Sequence, residues 1–124
     1  MAAIGDAGAG RPVLDVGEMR ERLGDDDELV ADVIRLYLDD YPTRIAAMRA
    51  AIDARDTVRL RAEAHALKGG ASALSAQRVA EAARALEAVG AAGDLALAGQ
   101  HFAVLVAESE QLAVVLRGLE KEKP

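Results

Sequence analysis

The sequence predicts an all-α protein, an antiparallel up-down four-helix bundle with a short extra helix at its N-terminal end. Alanine is abundant and β-branched residues are few, so the composition favours helix. Apolar residues recur at intervals of three and four through most of the chain, which is the period of one buried helix face. The connections between these periodic segments are short, so consecutive helices are expected to be antiparallel neighbours.

The chain is long enough for one domain. Residues 13–119 carry the periodic pattern, between a disordered Ala- and Gly-rich tail at 1–12 and a frayed charged tail at 120–124. A net charge of -6 and an aromatic content of 2% argue against binding to nucleic acid or to an anionic membrane surface. The absence of cysteine and of long apolar runs predicts a cytoplasmic protein with no disulfide and no membrane span.

Three helical segments are predicted in the first part of the chain. A short helix covers residues 16–23 and follows Asp15, which has the spacing of a capping box with an acid three residues later. The four acids at 25–28 suit the positive end of the next helix dipole; the alternative, a metal site, lacks a second acidic cluster facing them. This helix is expected to run to about Asp40, and Pro42 is expected to open a new one.

The second part of the chain predicts three more helices from their caps. Asp56 is the expected N-cap of a helix that runs to about Leu74. Ser75 is expected to cap the following helix, which stops at Gly90. Asp94 is expected to cap the last helix.

The helix that begins after Asp56 has two distinct faces when it is drawn at about 100° per residue. One face is apolar and is predicted to lie in the core: Leu60, Ala64, Leu67, Ala71 and Leu74. The opposite face is polar or bare: Arg61, His65, Lys68, Gly69 and Ser72. The adjacent Gly69 and Gly70 each cost about 1 kcal/mol in a helix relative to Ala, so they need a reason. Close approach by a large partner is one reason, and a kink or close helix packing is the other.

The chemistry that the sequence supports centres on His65. No phosphate-binding Gly-rich loop is present, and neither His65 nor His101 belongs to a helical metal-binding motif. His101 is interpreted as a structural or surface residue. No serine or cysteine stands beside His65 for it to activate, which leaves the imidazole itself as the nucleophile. Lys68, one turn along, supplies a cation suited to the oxygens of a phosphoryl group.

The stretch Ala64–Leu74 resembles the signature of histidine-containing phosphotransfer (HPt) domains, His-x-Leu-Lys-Gly followed by small residues. The similarity extends over about residues 14–119. It implies a four-helix bundle whose histidine exchanges phosphate with aspartates of response-regulator receiver domains. On this resemblance His65 is the phosphoacceptor, Lys68 stabilises the phosphoryl group and Gly69 permits close approach.

Several positions depart from the family pattern, but the residues that occupy them are still small. Gly70 and Ala71 stand where serines are frequent, and Ser75 stands where a glycine is usual. Some members carry a glutamine on the neighbouring helix that orients the histidine, and the matching position here is Glu87. The residues expected to bind the partner are Arg61, Gly69, Gly70, Ser72 and Glu87.

The resemblance implies a phosphocarrier intermediate and not a self-sufficient enzyme. The chain is expected to have no ATP site, metal site or cofactor of its own, with Mg²⁺ supplied by the receiver domain. The expected partners are receiver domains and a hybrid histidine kinase, with the chain itself a monomer. Two alternatives remain open: a helical adaptor that does not transfer phosphate, and the excised phosphoacceptor domain of a larger kinase. Four arginines form either a basic rim that steers the partner or an ordinary solubilising set: Arg59, Arg61, Arg78 and Arg84.

Overall fold

A computed structural model describes residues 11–122, and all regular structure in this range is helical. The elements are α1 Val16–Arg22, α2 Asp27–Asp53, α3 Thr57–Ala73, α4 Gln77–Ala92, a 3-10 turn Leu95–Leu97 and α5 Ala98–Lys121. The predicted N-terminal tail lies outside the described residues except for Arg11 and Pro12. Within 11–122, no helix is long and apolar enough to cross a membrane.

The four long helices enclose one apolar core. Helix α3 packs mainly against α4 and also against α2, and α5 packs against both α4 and α2. Leucines at helical spacing make up much of this core because each helix turns one apolar face inward. The fully buried large side chains include Met19, Met48, Leu60, Leu67, Leu74, Leu86, Leu105, Leu112 and Leu116.

Helix α2 corrects one prediction from the sequence. It runs unbroken through Pro42, which was expected to start a separate helix. Proline removes one backbone hydrogen bond from a helix interior. The segments on both sides nevertheless bury apolar side chains in the same core, Leu38 before the proline and Met48 after it. Packing of a continuous apolar face therefore outweighs the local effect of the proline.

The turn between α3 and α4 corrects a second prediction. Ser75 does not cap α4: the N-cap position is Ala76, and it makes no side-chain capping bond. Ser75 instead ends α3 in a left-handed conformation with φ of 63°. Its N–H donates to the Ser72 carbonyl, and the Ala76 N–H donates to the Ala71 carbonyl. These two bonds form a Schellman motif, in which the left-handed position favours glycine.

The end of α4 corrects a third prediction. Gly90 lies inside the helix, which continues to Ala92 and ends at Gly93 with a φ of 74°. A Cβ at Gly90 would lie 2.9 Å from the backbone nitrogen of Arg61 on α3. Gly90 thus serves close packing between two helices. Asp94 caps the 3-10 turn through the Ala96 N–H and not α5 itself.

Candidate functional site

Helix α3 carries the candidate site. Asp56 fixes its first turn by accepting a hydrogen bond from the Arg59 N–H at 3.0 Å. Leu60, Ala64 and Leu67 are buried on the inner face. His65 lies on the outer face with 67% of its side chain exposed, which is the orientation that helical periodicity predicts.

Glu87 on α4 joins the two predicted polar residues of α3. One carboxylate oxygen, Oε2, lies 2.8 Å from His65 Nδ1. The other oxygen, Oε1, lies 2.7 Å from Lys68 Nζ. The Glu87 and Lys68 side chains are mostly buried, whereas His65 is mostly exposed. Three residues from two helices therefore form one connected cluster, here called the His65 cluster.

The charge state of Glu87 determines how the cluster is hydrogen-bonded. The hydrogen bond from Lys68 is the main reason that the pKa of Glu87 is lowered; partial burial opposes the shift, and the bond with His65 adds to it. Glu87 is consequently a carboxylate at neutral pH and can only accept hydrogen bonds. The Nδ1 atom of His65 must then carry the hydrogen. In a neutral imidazole this arrangement leaves the lone pair on Nε2.

Among residues 11–122, close packing requires neither of the two glycines that follow Lys68. Helix α3 runs unbroken through both of them. In the described part of the chain, a Cβ at Gly69 would meet nothing within 4 Å, and a Cβ at Gly70 would touch only the Tyr37 ring, at 3.6 Å. The alternative of close helix packing therefore does not explain either glycine. It does explain Gly90, which the sequence did not single out for this reason.

The four arginines do not form one basic rim. Arg78 is largely buried and makes a bidentate ion pair with Glu108, at 3.0 Å for both Nε–Oε1 and Nη2–Oε2. Arg59 lies 3.6 Å from Glu63 on its own helix. Arg61 and Arg84 are exposed and form no ion pair among residues 11–122.

The other residues that the sequence singled out do not belong to the His65 cluster. Ser72 is half-buried one turn beyond Lys68 and makes no side-chain hydrogen bond in the described part of the chain. His101 is half-buried on α5 and is not part of the His65 cluster. In the acidic run, Asp26 caps α2 by accepting from the Glu28 and Leu29 N–H groups. Across residues 11–122, no group of three potential metal-ligating side chains is arranged to hold an ion.

Sequence reasoning overlooked a surface of α2 beside the site. Leu36 is 68% exposed and lines a cleft between α2 and α3, together with Gly70 and Ala73. Its only sequence signal is that it is a large apolar residue off the buried stripe of α2. That signal is weak because single exposed apolar residues are common.

Comparison with known proteins identifies the class of this protein. Residues 32–115, which include the His65 cluster, match the family described as the Hpt domain. The match covers more than half of the 124 residues, so the chain belongs to this family of histidine phosphotransfer domains. Domains of this family work with receiver domains and histidine kinases in phosphorelays.

A solved structure shares the fold. The crystal structure of histidine-containing phosphotransfer protein B from Pseudomonas aeruginosa PAO1 superimposes with a TM-score of 0.82. The sequences are 24% identical over 93% of this chain and 100% of the other. A search among curated proteins gave no match.

Proposed function

We propose that His65 is the phosphoacceptor of this phosphotransfer domain, taking a phosphoryl group from one receiver-domain aspartate and passing it to another. The observation that carries the proposal is the contact between Glu87 and His65 Nδ1 at 2.8 Å. This contact holds the ring while its other nitrogen stays available for reaction. A hybrid histidine kinase and a response regulator are the proposed owners of the two receiver domains.

Transfer of the phosphoryl group to His65 requires no additional base. The lone pair on His65 Nε2 attacks the phosphorus of the aspartyl phosphate, and a P–N bond forms. The bond between phosphorus and the aspartate oxygen breaks, and its electrons return to the aspartate carboxylate. The Nδ1 hydrogen stays in place, so the phosphorylated ring is positively charged. The Glu87 carboxylate stabilises this charge, and the reverse sequence returns the phosphoryl group to a second aspartate.

Lys68 is the proposed cation for the phosphoryl oxygens. Its ammonium group has three donors, so it can keep its 2.7 Å contact with Glu87 and still donate to a phosphoryl oxygen. Phosphoryl transfer depends mainly on alignment and on stabilising the charge of the equatorial oxygens. The partner receiver is expected to contribute Mg²⁺, which neutralises charge on the same oxygens.

The architecture proposed for the active form follows the sequence prediction. Residues 13–119 form one antiparallel up-down bundle in which the four long helices are α2 to α5, and α1 is the short extra helix. The protein is proposed to act as a cytoplasmic monomer. Arg61, Gly69, Gly70 and Ser72 are proposed to lie under the bound receiver, since they flank His65 along α3.

Transfer from a phosphorylated receiver domain tests the proposal. Receivers from the same organism are phosphorylated and mixed with the wild-type chain and with His65→Gln. We expect acid-labile, base-stable phosphate on the wild type only, with unchanged helical circular dichroism for the variant. Phosphate on both proteins would place the acceptor elsewhere. A folded wild type that accepts phosphate from none of the receivers would favour the adaptor alternative.

A further inference from the structure

We infer that the groove between α2 and α5 is a second docking surface, and that it takes an amphipathic helix of a partner protein with a basic residue at each end of its apolar stripe. Helix α2 neighbours α3 and α5, and α4 neighbours the same two helices, so the α2–α5 side of the bundle faces away from the α3–α4 side. The His65 cluster joins α3 and α4. A helix bound in the groove would therefore leave His65 accessible to a receiver domain.

Two adjoining cavities make up the groove. One has a volume of about 540 Å³ and the other a volume of about 290 Å³. Arg49 on α2 and Val106 and Glu110 on α5 line both cavities, so the two are continuous. The α2 wall extends from Tyr41 to Asp53, which is about 18 Å at 1.5 Å per residue. Three turns of a partner helix have about the same length.

The floor of the groove and its α5 wall suit the apolar face of a helix. The floor consists of apolar side chains that also pack against the core: Ile45, Ile52, Phe102 and Val106. On α5, Gly99, Ala103 and Ala107 follow one another at intervals of four residues, and all three are exposed. Among residues 11–122, a Cβ at Gly99 would meet nothing within 4 Å. A partner helix can therefore come close to the backbone of α5 and cover the apolar floor, which contributes favourably to binding.

The charges in the groove indicate which kind of helix fits. Asp53 lines the same cavity as Gly99, near the start of α5, whereas Glu110 lies eleven residues beyond Gly99, or about 16 Å along α5. Neither acid forms an ion pair in the part of the chain that the structure describes. Arg49 lies between them with its guanidinium carbon 5.0 Å from the centre of the Phe102 ring, a cation–π contact. Both acids are therefore available to cations of a partner.

The distance between the two acids determines the spacing of the partner's basic residues. Positions eleven apart in a helix lie on the same face, because eleven residues make almost three whole turns, and they are about 16 Å apart along the axis. The fourth and seventh positions after the first basic residue share that face. Leucines there would lie over the apolar floor while the two basic residues reach Asp53 and Glu110. Binding of an amphipathic helix in a groove uses anchors at this kind of spacing.

A synthetic helix with this pattern tests the inference. The probe is a fluorescently labelled peptide of about 18 residues, long enough to form a helix, built from alanine and glutamine with two lysines eleven positions apart and leucines on the face between them. In the control peptide, glutamates replace the lysines. Fluorescence anisotropy measures the Kd for the wild type, for Glu110→Lys and for the matched control Asp32→Lys. Asp32 is exposed on α2 and lines neither cavity, so the two variants change the net charge equally but at different places.

We expect the lysine peptide to bind the wild type and the glutamate peptide not to bind. Glu110→Lys should raise the Kd about 10-fold, and Asp32→Lys should leave it near the wild-type value. Amide chemical shifts in NMR spectra should change along 41–53 and 99–110 when the peptide is added, and not at His65 or Lys68. None of these measurements involves phosphate transfer, so a failure of the proposed function would leave the result unaffected.

Three results would overturn the inference. The first is no binding to the wild type, or an equal loss in both lysine variants, which would indicate a general attraction between a basic peptide and an acidic protein. The second is a set of shift changes centred on His65. The third is dimerisation of the wild type through the groove, which would identify the occupant as a second copy of the chain. Ala103→Phe, which fills the larger cavity, provides a second variant with the same expected loss if Glu110→Lys does not fold.

Discussion

Gly90 on α4 and the pair Gly69–Gly70 on α3 are the same residue type in opposite roles. A Cβ at Gly90 would lie 2.9 Å from the Arg61 backbone nitrogen, a distance at which the two helices would have to move apart. Among the residues that the structure describes, a Cβ at Gly69 would meet nothing within 4 Å, and one at Gly70 would make an ordinary contact with Tyr37. Glycine therefore serves internal packing at one position and an open surface at the other two.

The difference shows that helix propensity and packing must be considered together. All three glycines lie within helices, where each weakens the helix relative to alanine. At Gly90 the close α3–α4 contact, beside the His65 cluster, offsets that loss. At Gly69 and Gly70 nothing within residues 11–122 offsets that loss, which directs attention to a partner.

The largest effect should come from filling the open surface. Gly69→Leu is expected to lower kcat/KM for receiver transfer more than 100-fold, because the new side chain stands one turn from His65 where a partner must approach. The melting temperature should not fall, since leucine is a better helix former than glycine. Stopped-flow transfer and thermal circular dichroism measure the two effects. If this variant accepted phosphate at the wild-type rate, Gly69 would not be needed for the approach of a partner.

The packing glycine should respond in the opposite way. Gly90→Ala is expected to lower the free energy of unfolding by about 2 kcal/mol, because overpacking outweighs the gain in helix propensity. Urea unfolding measures the change. Gly118→Ala on α5 is the matched control, since a Cβ there meets nothing within 4 Å. A stability of Gly90→Ala equal to or above that of the control would show that the α3–α4 contact is not tight.

Ser75 is the reciprocal case, a position that favours glycine but lacks it. Its φ is 63°, and its buried Oγ has no hydrogen-bond partner between residues 11 and 122. Ser75→Gly is expected to raise the free energy of unfolding by about 1 kcal/mol, since it relieves the left-handed conformation and removes the unpaired hydroxyl. Ser75→Ala removes only the hydroxyl and should gain less. Equal gains in urea unfolding would mean that the backbone conformation carries no penalty.

The smallest effect concerns the contact of Glu87 with α3. The pKa of Glu87 is lowered chiefly by Lys68, so this contact stabilises the fold above the unfolded pKa of about 4.3 and is lost as the pH falls through the folded pKa. The stability difference between the wild type and Lys68→Met should therefore shrink from pH 6 to pH 3. Urea unfolding at each pH measures it. A difference that stays constant would show that Lys68 stabilises α3 by packing alone.

The sequence predicted the parts of the site that lie on one helix. The Asp56 cap and the spacing of Leu60, Ala64 and Leu67 were enough to place His65 on the exposed face, because both features depend only on helical period and local hydrogen bonds. The contact with Glu87 was predicted from the family resemblance and not from spacing. It joins residues 22 positions apart, and such contacts depend on how two helices pair.

The errors share one physical origin. Pro42, Ser75 and Gly90 were interpreted by their local preferences, as a helix start, a helix cap and a helix stop. In the fold, α2 continues through Pro42 because its apolar face packs against the core on both sides of the proline. Ser75 lies in the Schellman turn that ends α3. Gly90 lies inside α4, where the close contact with α3 leaves no space for a Cβ. Arg78 was likewise interpreted as surface charge, although its partner Glu108 lies 30 positions away.

The sequence by itself determined the helical class, the start of α3 and the exposed face that carries His65 and Lys68, because these follow from interactions within about four residues along one chain segment. Tertiary structure alone decided that Gly90 lets α3 and α4 come close enough for Glu87 to reach both residues. It also decided that Leu36 on α2 borders the same surface. Both outcomes depend on the distance and rotation between helices, which are determined by packing of the whole core.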